Sequence, residues 1–192
     1  CAPEDVCFLP GAIAALQRLT RAGCRLFVLT NQSGIGRGYF SQEQYYAVQR
    51  HLDHLLAHYG VVLNASLFCP HSPTAACSCR KPAPGLIHAL GRRVLRRVCR
   101  QAARWSGQGL QRVGVNVSPA QLEWEDLETV VGELMAEQGV PPNVLEVEVT
   151  EEAFLREPDR ASSVLHRLRE LGVCTAIDDF GTGYSSLAYL KA

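Results

Sequence analysis

One short segment of this sequence carries three thiols and an imidazole, in the order Cys69, His71, Cys77 and Cys79. Zinc favours four such sulfur and nitrogen ligands in a tetrahedron, and a single loop that bears all four can close around the ion. The spacing is that of a metal site rather than of a disulfide framework. Chance clustering of cysteines is the alternative. The pattern predicts a structural zinc ion held by these four side chains.

Groups suited to holding phosphate occur directly after this segment and in an earlier glycine-rich loop. Arg80 and Lys81 place two cations on the segment that a metal would stiffen. The loop over residues 30–38 offers a hydroxyl, polar side chains and main-chain N–H groups that can approach an anion. A plain turn is the alternative, and the glycine spacing does not fit a dinucleotide fingerprint. The candidate phosphate contacts are Thr30, Asn31, Gln32, Arg37, Arg80 and Lys81.

Acidic residues lie on or just after two predicted strands in the second half of the chain. In residues 144–151, Glu146 and Glu148 alternate with apolar residues. Either the glutamates face solvent on an antiparallel strand, or they point into a barrel whose apolar outer face lies beneath helices. The alternation leaves both interpretations open. Asp178 and Asp179 follow a strand over residues 173–177, a position where barrels bind divalent metals; capping of the next loop is the alternative.

The elements that would position these residues alternate between helix and strand. A helix is predicted to begin at Pro10-Gly11, followed by a strand over residues 25–30 and a second helix after the capping box of Ser41 and Gln44. Further along, strands are predicted over residues 112–118 and 144–151, and helices over residues 126–138 and 161–171. This order predicts an α/β chain with parallel sheets, in which ligands bind beyond the carboxyl ends of the strands.

An arginine-rich helix over residues 92–104 separates the two sets of candidate residues. One side carries the arginines, and the other carries Val94, Leu95, Val98, Ala102 and Trp105. The basic side is either a solvated face or a surface for phosphate or an anionic membrane. We expect arginines that face water, and we interpret the helix as the junction between two domains over residues 1–91 and 92–192.

The composition is that of an ordinary globular protein. Of its 192 residues, 47% are hydrophobic, but no apolar run approaches the roughly 20 residues that span a bilayer. The first residues do not form a signal peptide. Outside the cluster, the single cysteines Cys7, Cys24, Cys99 and Cys174 adjoin apolar runs, where buried free thiols are common. We expect a cytoplasmic protein in a reducing compartment, with no membrane span and no nucleic acid polymer as a partner.

Residues 2–90 resemble the bacterial heptose bisphosphate phosphatases of the haloacid dehalogenase superfamily, and their histidinol phosphatase relatives. The matching stretches are residues 8–11, 30–40, 69–71 and 77–85. The resemblance implies a Rossmann-like phosphatase domain with a zinc loop. It also implies that Thr30 and Lys81 contact the transferred phosphoryl group, that Arg80 lies at the substrate, and that zinc is bound by Cys69, His71, Cys77 and Cys79.

The nucleophile of that family is not found in residues 1–91. The family attacks phosphorus with the first aspartate of an Asp-x-Asp-Gly-Thr strand, whereas the aspartates here are Asp5, in a turn, and Asp53, on a helix. Phosphate-binding residues without a nucleophile cannot carry out covalent phosphoryl transfer. We therefore expect a partial phosphatase domain with no complete catalytic set.

Residues from about 94 to 192 resemble the EAL-type cyclic di-GMP phosphodiesterase domain, a (β/α)8 barrel. The matching motifs are residues 101–105, 115–119, 145–151 and 177–187. The resemblance implies a Mg²⁺ or Mn²⁺ site on Asn116, Glu148 and Asp178, with Asp179 at a second metal. Glu151 would support the loop over residues 180–186, which couples substrate binding to dimerisation. The Glu-Ala-Leu segment and the catalytic lysine of the family are not found, so we expect a partial barrel with incomplete ligand sets.

The two resemblances predict a fusion of a sugar bisphosphate phosphatase fragment with a cyclic di-GMP phosphodiesterase fragment. Both parent families hydrolyse phosphoric esters, and the missing catalytic residues predict an inactive chain. One alternative is a module that binds cyclic di-GMP or phosphate without catalysis, and another is that a second chain completes each half. Half a barrel leaves strand edges open and helix faces uncovered, so we also expect self-association through the C-terminal half.

Overall fold

The structure, a computed structural model, describes residues 2–123 and 126–179. The chain divides into two compact units, Cys1–Ala89 and Leu90–Ala192. Each unit contains a parallel sheet with helices, so the predicted α/β class is confirmed. In the part of the chain that the structure describes, no helix combines the length and the apolar character needed to cross a membrane.

The first unit has two strands that pair in parallel. After a 3₁₀ helix over Pro3–Asp5, its elements are α1 (Ala12–Arg21), β1 (Leu26–Asn31), the single turn α2 (Ser33–Gly36), α3 (Gln42–His58) and β2 (Leu63–Cys69). Helix α3 begins at the predicted capping box, where the Ser41 N–H donates to Gln44 Oε1 at 2.7 Å and Ser41 Oγ accepts from the Gln44 N–H at 3.3 Å. Strand β2 was not predicted.

The register of β1 and β2 brings two loops to one edge. Thr30 lies opposite Phe68, and Asn31 lies opposite Cys69. Helix α3 packs on one face of the pair, where the buried Tyr45 ring is centred 4.2 Å from the Phe68 ring. Because parallel strands end at the same edge, the loops after β1 and β2 start side by side.

The second unit has a three-stranded parallel sheet in the order β3-β4-β5. Helix α4 (Gly85–Ser106) begins in the first unit and ends in the second. The elements that follow are β3 (Val113–Val117), α5 (Pro119–Leu122), α6 (Leu127–Gln138), β4 (Leu145–Thr150), α7 (Glu151–Arg156), α8 (Pro158–Glu170) and β5 (Cys174–Asp178). The predicted strands and helices are present here with ends shifted by a few residues, except that α4 begins at Gly85 rather than at residue 92. Helices α5 and α7 were not predicted.

The burial and pairing of β4 distinguish between the two interpretations of its alternating sequence. Leu145, Val147 and Val149 are completely buried, whereas the glutamates between them are only partly buried. The strand pairs in parallel on both sides, so it is not an antiparallel strand with one face in water. Its apolar face belongs to a core to which α4 contributes Leu95 and Cys99, α6 contributes Val131 and Leu134, and α8 contributes Val164 and Leu168.

We expected the arginines of α4 to face water, but several of them also contact other side chains. Three of them contact polar side chains of α6, in the pairs Arg92–Glu133, Arg96–Glu137 and Arg100–Gln138. The two ion pairs are about half exposed, so each contributes at most about 1 kcal/mol. The pairs nevertheless align α4 with α6 along one side of the second unit.

Burial differs from the prediction at several apolar positions. Val94 and Trp105 are each 43% exposed, because the buried stripe of α4 is centred on Leu95, Cys99 and Ala102. Among the single cysteines Cys99 is buried, but Cys7 and Cys24 are exposed and Cys174 is partly exposed. Cys7 and Cys24 lie in short connections between the helices and strands of the first unit.

Candidate functional site

The four predicted metal ligands meet at the carboxyl end of β2. Their donor atoms all lie within 4.8 Å of one another. The sulfur of Cys77 is 3.7 Å from that of Cys69 and 3.8 Å from that of Cys79, and His71 Nδ1 is 3.6 Å and 3.2 Å from the Cys69 and Cys79 sulfurs. A tetrahedral zinc ion with Zn–S and Zn–N bonds of about 2.3 Å and 2.0 Å requires S–S and S–N separations of about 3.8 Å and 3.5 Å. The residues present therefore fit a tetrahedral metal ion.

The electrostatics of the three thiols also favour a cation. Burial, hydrogen bonds with the other two thiols and the negative charge of their thiolates raise the pKa of Cys79 to about 12. Burial also opposes ionisation of Cys77, but hydrogen bonds from the Arg80 N–H and the neighbouring thiols outweigh it and lower the pKa of Cys77. A divalent ion among the sulfurs would neutralise their mutual repulsion and displace the thiol protons.

The loop after β1 packs directly on the Cys/His segment. The Gln32 N–H donates to the Cys69 carbonyl and the Gly36 N–H donates to the Pro70 carbonyl, each at 2.8 Å. A Cβ on Gly36 would lie 2.5 Å from the Ser72 nitrogen and 2.8 Å from the Pro70 oxygen, so only glycine allows this approach of the two backbones. The predicted metal loop and the predicted phosphate loop are thus one structural group.

Lys81 joins this group through both its main chain and its side chain. Its N–H donates to Asn31 Oδ1 at 3.0 Å, and its carbonyl accepts from Asn31 Nδ2 at 3.1 Å. Its ammonium donates to the Leu29 carbonyl at 2.7 Å. Beside them, Thr30 Oγ1 accepts from Gln32 Nε2 at 3.2 Å. The fold brings these candidate residues together from two segments about 50 residues apart in sequence.

Arg80 carries a buried hydrogen-bond donor, its Nη1 atom. This atom has no hydrogen-bond partner among the residues that the structure describes. An unpaired buried donor costs about 1–3 kcal/mol, and buried polar groups are therefore paired as a rule. An anionic oxygen would satisfy this group. Arg37, by contrast, is exposed, and its guanidinium carbon lies 5.9 Å from the centre of the Tyr39 ring in a cation–π contact.

A cavity of about 280 Å³ lies beside Thr30 and Gln32. Most of its wall is apolar, and Val28, Phe40, Tyr45, Val48 and Leu52 form it together with the amides of Gln44 and Gln49. Gln44 and Gln49 were not among the predicted site residues. The capping box identified Gln44 only as part of the start of α3, since a local pattern does not reveal which strand a helix covers.

In the second unit, three predicted metal ligands lie on one face of the sheet. Asn116 pairs with Glu148, and Thr150, two residues after Glu148, pairs with Asp178. Because side chains alternate between faces, Asn116, Glu148 and Asp178 all lie on the face opposite the buried Leu145, Val147 and Val149. They lie toward the carboxyl ends of three adjacent strands.

Their role as ligands of a shared metal ion stays a prediction. Apart from the Cys/His group, residues 2–123 and 126–179 contain no set of three His, Cys, Asp or Glu side chains whose donor atoms lie close enough to share a metal. Asp178 Oδ1 accepts a hydrogen bond from the Asp179 N–H at 2.9 Å, and Asp179 has a left-handed backbone with φ 56°. The loop that the pair would cap in the alternative interpretation lies outside the described residues.

Glu151 is the one charged side chain that is buried among the described residues, at 8% exposure. It begins α7, immediately after β4. The loop over residues 180–186, which we expected Glu151 to support, lies outside the described residues. The role of Glu151 stays a prediction.

The sequence profile of the EAL domain family matches residues 82–192. The match begins before residue 92, where we expected the domain boundary, and that boundary stays a prediction. Cyclic di-GMP phosphodiesterase NbdA of Pseudomonas aeruginosa is 44% identical over 111 residues, which are 57% of this chain and 14% of NbdA. A solved structure of the PaMucR phosphodiesterase in complex with c-di-GMP is 39% identical, with a TM-score of 0.52 over 55% of this chain and 44% of that chain.

The N-terminal part is similar to a different group of proteins. D-glycero-beta-D-manno-heptose-1,7-bisphosphate 7-phosphatase of Bordetella bronchiseptica is 40% identical over 91 residues, which are 47% of this chain. The chain spans 51% of the length of this phosphatase and 14% of that of NbdA. Both resemblances expected from the sequence are confirmed. By its match over residues 82–192 the chain belongs to the EAL domain family, and its N-terminal part is homologous to the heptose bisphosphate phosphatases.

Proposed function

We propose that the first unit binds a phosphorylated small molecule where the loops after β1 and β2 meet. The observation that carries this proposal is the buried Nη1 of Arg80, a cationic donor without an acceptor among the described residues. Lys81 and the Thr30 hydroxyl belong to the same group of residues. Phosphate supplies several anionic oxygens at once, which suits two cations and a hydroxyl. The similarity to the Bordetella phosphatase favours a sugar bisphosphate as the ligand.

Lys81 and Thr30 each have a hydrogen-bond donor that is available to the phosphate. The Lys81 ammonium uses one of its three donors on the Leu29 carbonyl. The Thr30 hydroxyl accepts from Gln32, so its own proton is available to an anionic oxygen. A zinc ion on Cys69, His71, Cys77 and Cys79 would supply rigidity to the segment that carries Arg80 and Lys81.

The proposed activity is binding without turnover. The two aspartates of this unit serve local structure, since Asp5 Oδ2 accepts from the Ala2 N–H at 2.8 Å and Asp53 Oδ1 accepts from Gln49 Nε2 on α3 at 2.9 Å. Covalent phosphoryl transfer requires a carboxylate aligned with phosphorus. Neither of these aspartates is part of the group around Thr30 and Lys81.

Calorimetry on the purified, zinc-loaded chain tests this proposal. We expect saturable binding of inorganic phosphate and tighter binding of heptose 1,7-bisphosphate, because two phosphate groups and the sugar add contacts. A colorimetric phosphate assay under the same conditions should show no release of phosphate. Steady release would overturn the part of the proposal that excludes turnover, and absence of binding by both ligands would overturn the phosphate site itself.

A second candidate function is binding of cyclic di-GMP by the second unit in the presence of Mg²⁺ or Mn²⁺. It is favoured by the placement of Asn116, Glu148 and Asp178 on one face of the parallel sheet, together with the similarity to NbdA. Titration of the chain with cyclic di-GMP, with and without Mn²⁺, tests it, and chromatography of the nucleotide checks for hydrolysis. Binding that does not depend on the metal would argue against these ligands.

We also propose that the chain self-associates through its second unit. Among the described strands, β3 and β5 each pair on one side only, and an open strand edge can pair with another chain. Light scattering coupled to size exclusion would measure the mass. A monomer at all concentrations up to the millimolar range would contradict the proposal.

A further inference from the structure

The side chain of Asn31 is the direct link between the strand that carries the phosphate loop and the segment that carries the metal ligands. Asn31 is the last residue of β1, and its partner in the register is Cys69, the last residue of β2 and one of the four metal ligands. Its amide makes two reciprocal hydrogen bonds with the main chain of Lys81, at 3.0 Å and 3.1 Å. Two bonds of opposite direction fix both the distance and the orientation of the Lys81 peptide groups.

The Cys/His segment is therefore held to β1 at both of its ends. At its start, the Cys69 and Pro70 carbonyls accept from the Gln32 and Gly36 N–H groups. At its end, Asn31 holds Lys81, which lies two residues after Cys79. Between these points, a metal ion would fix Cys69, Cys77 and Cys79 relative to one another. The metal ligands and Lys81 thus belong to the same short segment, so metal binding would affect the position of Lys81.

We infer that Asn31 is a positioning residue that couples metal binding at the Cys/His group to phosphate binding at Arg80 and Lys81. The role of Asn31 as a phosphate contact stays a prediction, whereas its amide carbonyl and one N–H of its amino group are bonded to Lys81. Asn31 acts through Lys81, whose ammonium it keeps next to β1. This inference rests on the proposed phosphate site. Coupling between two sites is reciprocal, so phosphate should also strengthen metal binding by the same factor.

Asn64 offers a matched control for the loss of an asparagine. Its Oδ1 accepts from the Leu26 N–H at 2.9 Å, so it also ties a side-chain amide to the main chain of the β1–β2 pair. This contact is at the opposite end of the pair from Cys69. Asn64→Ala removes a similar hydrogen bond without touching the metal segment or Lys81.

The first measurement is the phosphate affinity of the zinc-loaded and the chelated chain, by calorimetry with inorganic phosphate. In the unmodified chain, removal of zinc should weaken phosphate binding by about tenfold, a common size for coupling between sites. In Asn31→Ala, phosphate binding should be weak with zinc and should change less than about twofold on chelation. Asn64→Ala should keep the full zinc dependence. Unaltered zinc dependence in Asn31→Ala would overturn the inference.

The second measurement does not require phosphate binding. Acylation of Lys81 by an amine-reactive reagent, mapped by mass spectrometry, reports whether its ammonium is held against the Leu29 carbonyl. Zinc should slow this reaction in the unmodified chain and in Asn64→Ala, but not in Asn31→Ala. If the chain binds no phosphate but Lys81 shows this pattern, the proposed function fails and the positioning role of Asn31 stands. Equal labelling in all zinc-loaded chains would overturn the positioning role.

Discussion

The carboxylate of Glu148 lies over Gly114 on the neighbouring strand, in the space that a side chain at position 114 would occupy. In the register of β3 and β4, Glu148 is opposite Asn116, whereas Gly114 lies two pairs closer to the amino end, opposite Glu146. The Glu148 side chain therefore leans away from Asp178, which is opposite Thr150 at the carboxyl end. A different rotamer of Glu148 would bring its carboxylate toward Asp178.

Glu148→Gln should weaken Mn²⁺-dependent binding of cyclic di-GMP, because the amide keeps the shape of the side chain but loses the charge that holds the cation. We expect a loss of about tenfold or more in affinity, since a hydrogen-bonded or metal-bound charge contributes about 1.5–3 kcal/mol. Calorimetry in the presence of Mn²⁺ measures it. Glu170→Gln is the control, because Glu170 is an exposed residue paired with His166 at 3.4 Å. Equal affinities for the two variants would contradict the metal role.

Gly36→Ala should destabilise the first unit and weaken phosphate binding, since its Cβ would meet backbone atoms of Pro70 and Ser72. We expect a loss of about 1–3 kcal/mol in the free energy of unfolding, as for other overpacked sites. Urea unfolding followed by circular dichroism measures the stability. Gly114→Ala is the control, because the obstacle there is only the end of the flexible Glu148 side chain. A Gly36→Ala chain as stable as Gly114→Ala would show that the two loops are not packed as described.

Arg80→Gln should weaken binding of inorganic phosphate about 10- to 100-fold, because a charged donor to an anion contributes about 1.5–3 kcal/mol. The same change should not destabilise the fold, since it removes a partly buried guanidinium whose buried Nη1 atom has no acceptor among the described residues. Calorimetry and urea unfolding measure the two effects. Arg50→Gln, at an exposed position of α3, is the control. Unchanged affinity in Arg80→Gln would remove Arg80 from the site.

One zinc ion per chain is the expected result of native mass spectrometry, because the four donor atoms have the spacing of a tetrahedral ion. Cys77→Ser should lower the zinc content and the temperature of unfolding, whereas Cys24→Ser should change neither, since Cys24 is exposed and outside the group. Each bound zinc should release protons, as the pKa of Cys79 is about 12 and its thiol is protonated at neutral pH. Zinc-free protein with intact thiols would refute the prediction.

Alkaline pH should destabilise the second unit through Cys99. Burial raises the pKa of this thiol from 9.0 to about 11, and the nearby Glu137 adds to the rise against a main-chain hydrogen bond that lowers it. The folded chain thus keeps the thiol protonated at a pH where the unfolded chain ionises it. The corresponding stability is fully present below about pH 9 and falls as the pH rises toward about 11.

Urea midpoints measured between pH 8 and pH 11 test this dependence. In Cys99→Ala the midpoint should be lower at pH 8, because a buried side chain is truncated, but it should fall less steeply with pH. Cys174→Ala, which alters a partly exposed thiol of the same unit, should keep the slope of the unmodified chain. An unchanged slope in Cys99→Ala would contradict this assignment.

The sequence alone was sufficient for features set by neighbours along the chain. The capping box of Ser41 and Gln44 marked the start of α3, because its two hydrogen bonds connect residues three apart. The spacing of Cys69, His71, Cys77 and Cys79 predicted a metal group, since one short segment of the chain holds all four ligands. Alternation in β4 also identified which residues share a face, because the side-chain period of a strand is fixed by its backbone.

Only the tertiary structure decided how these local pieces combine. The sequence of β4 fits an antiparallel strand with one face in solvent and a parallel strand equally well, and the parallel pairing on both of its sides identifies the second. The unpredicted strand β2 placed Cys69 beside Asn31, and Asn31 in turn holds Lys81, 50 residues away. Strand register and packing join segments that are remote in sequence, and the hydrogen bonds that set them leave no periodic pattern along the chain. The sequence assigned phosphate contacts to both loops, but only the long-range pairing of β1 with β2 shows that the two loops pack against each other.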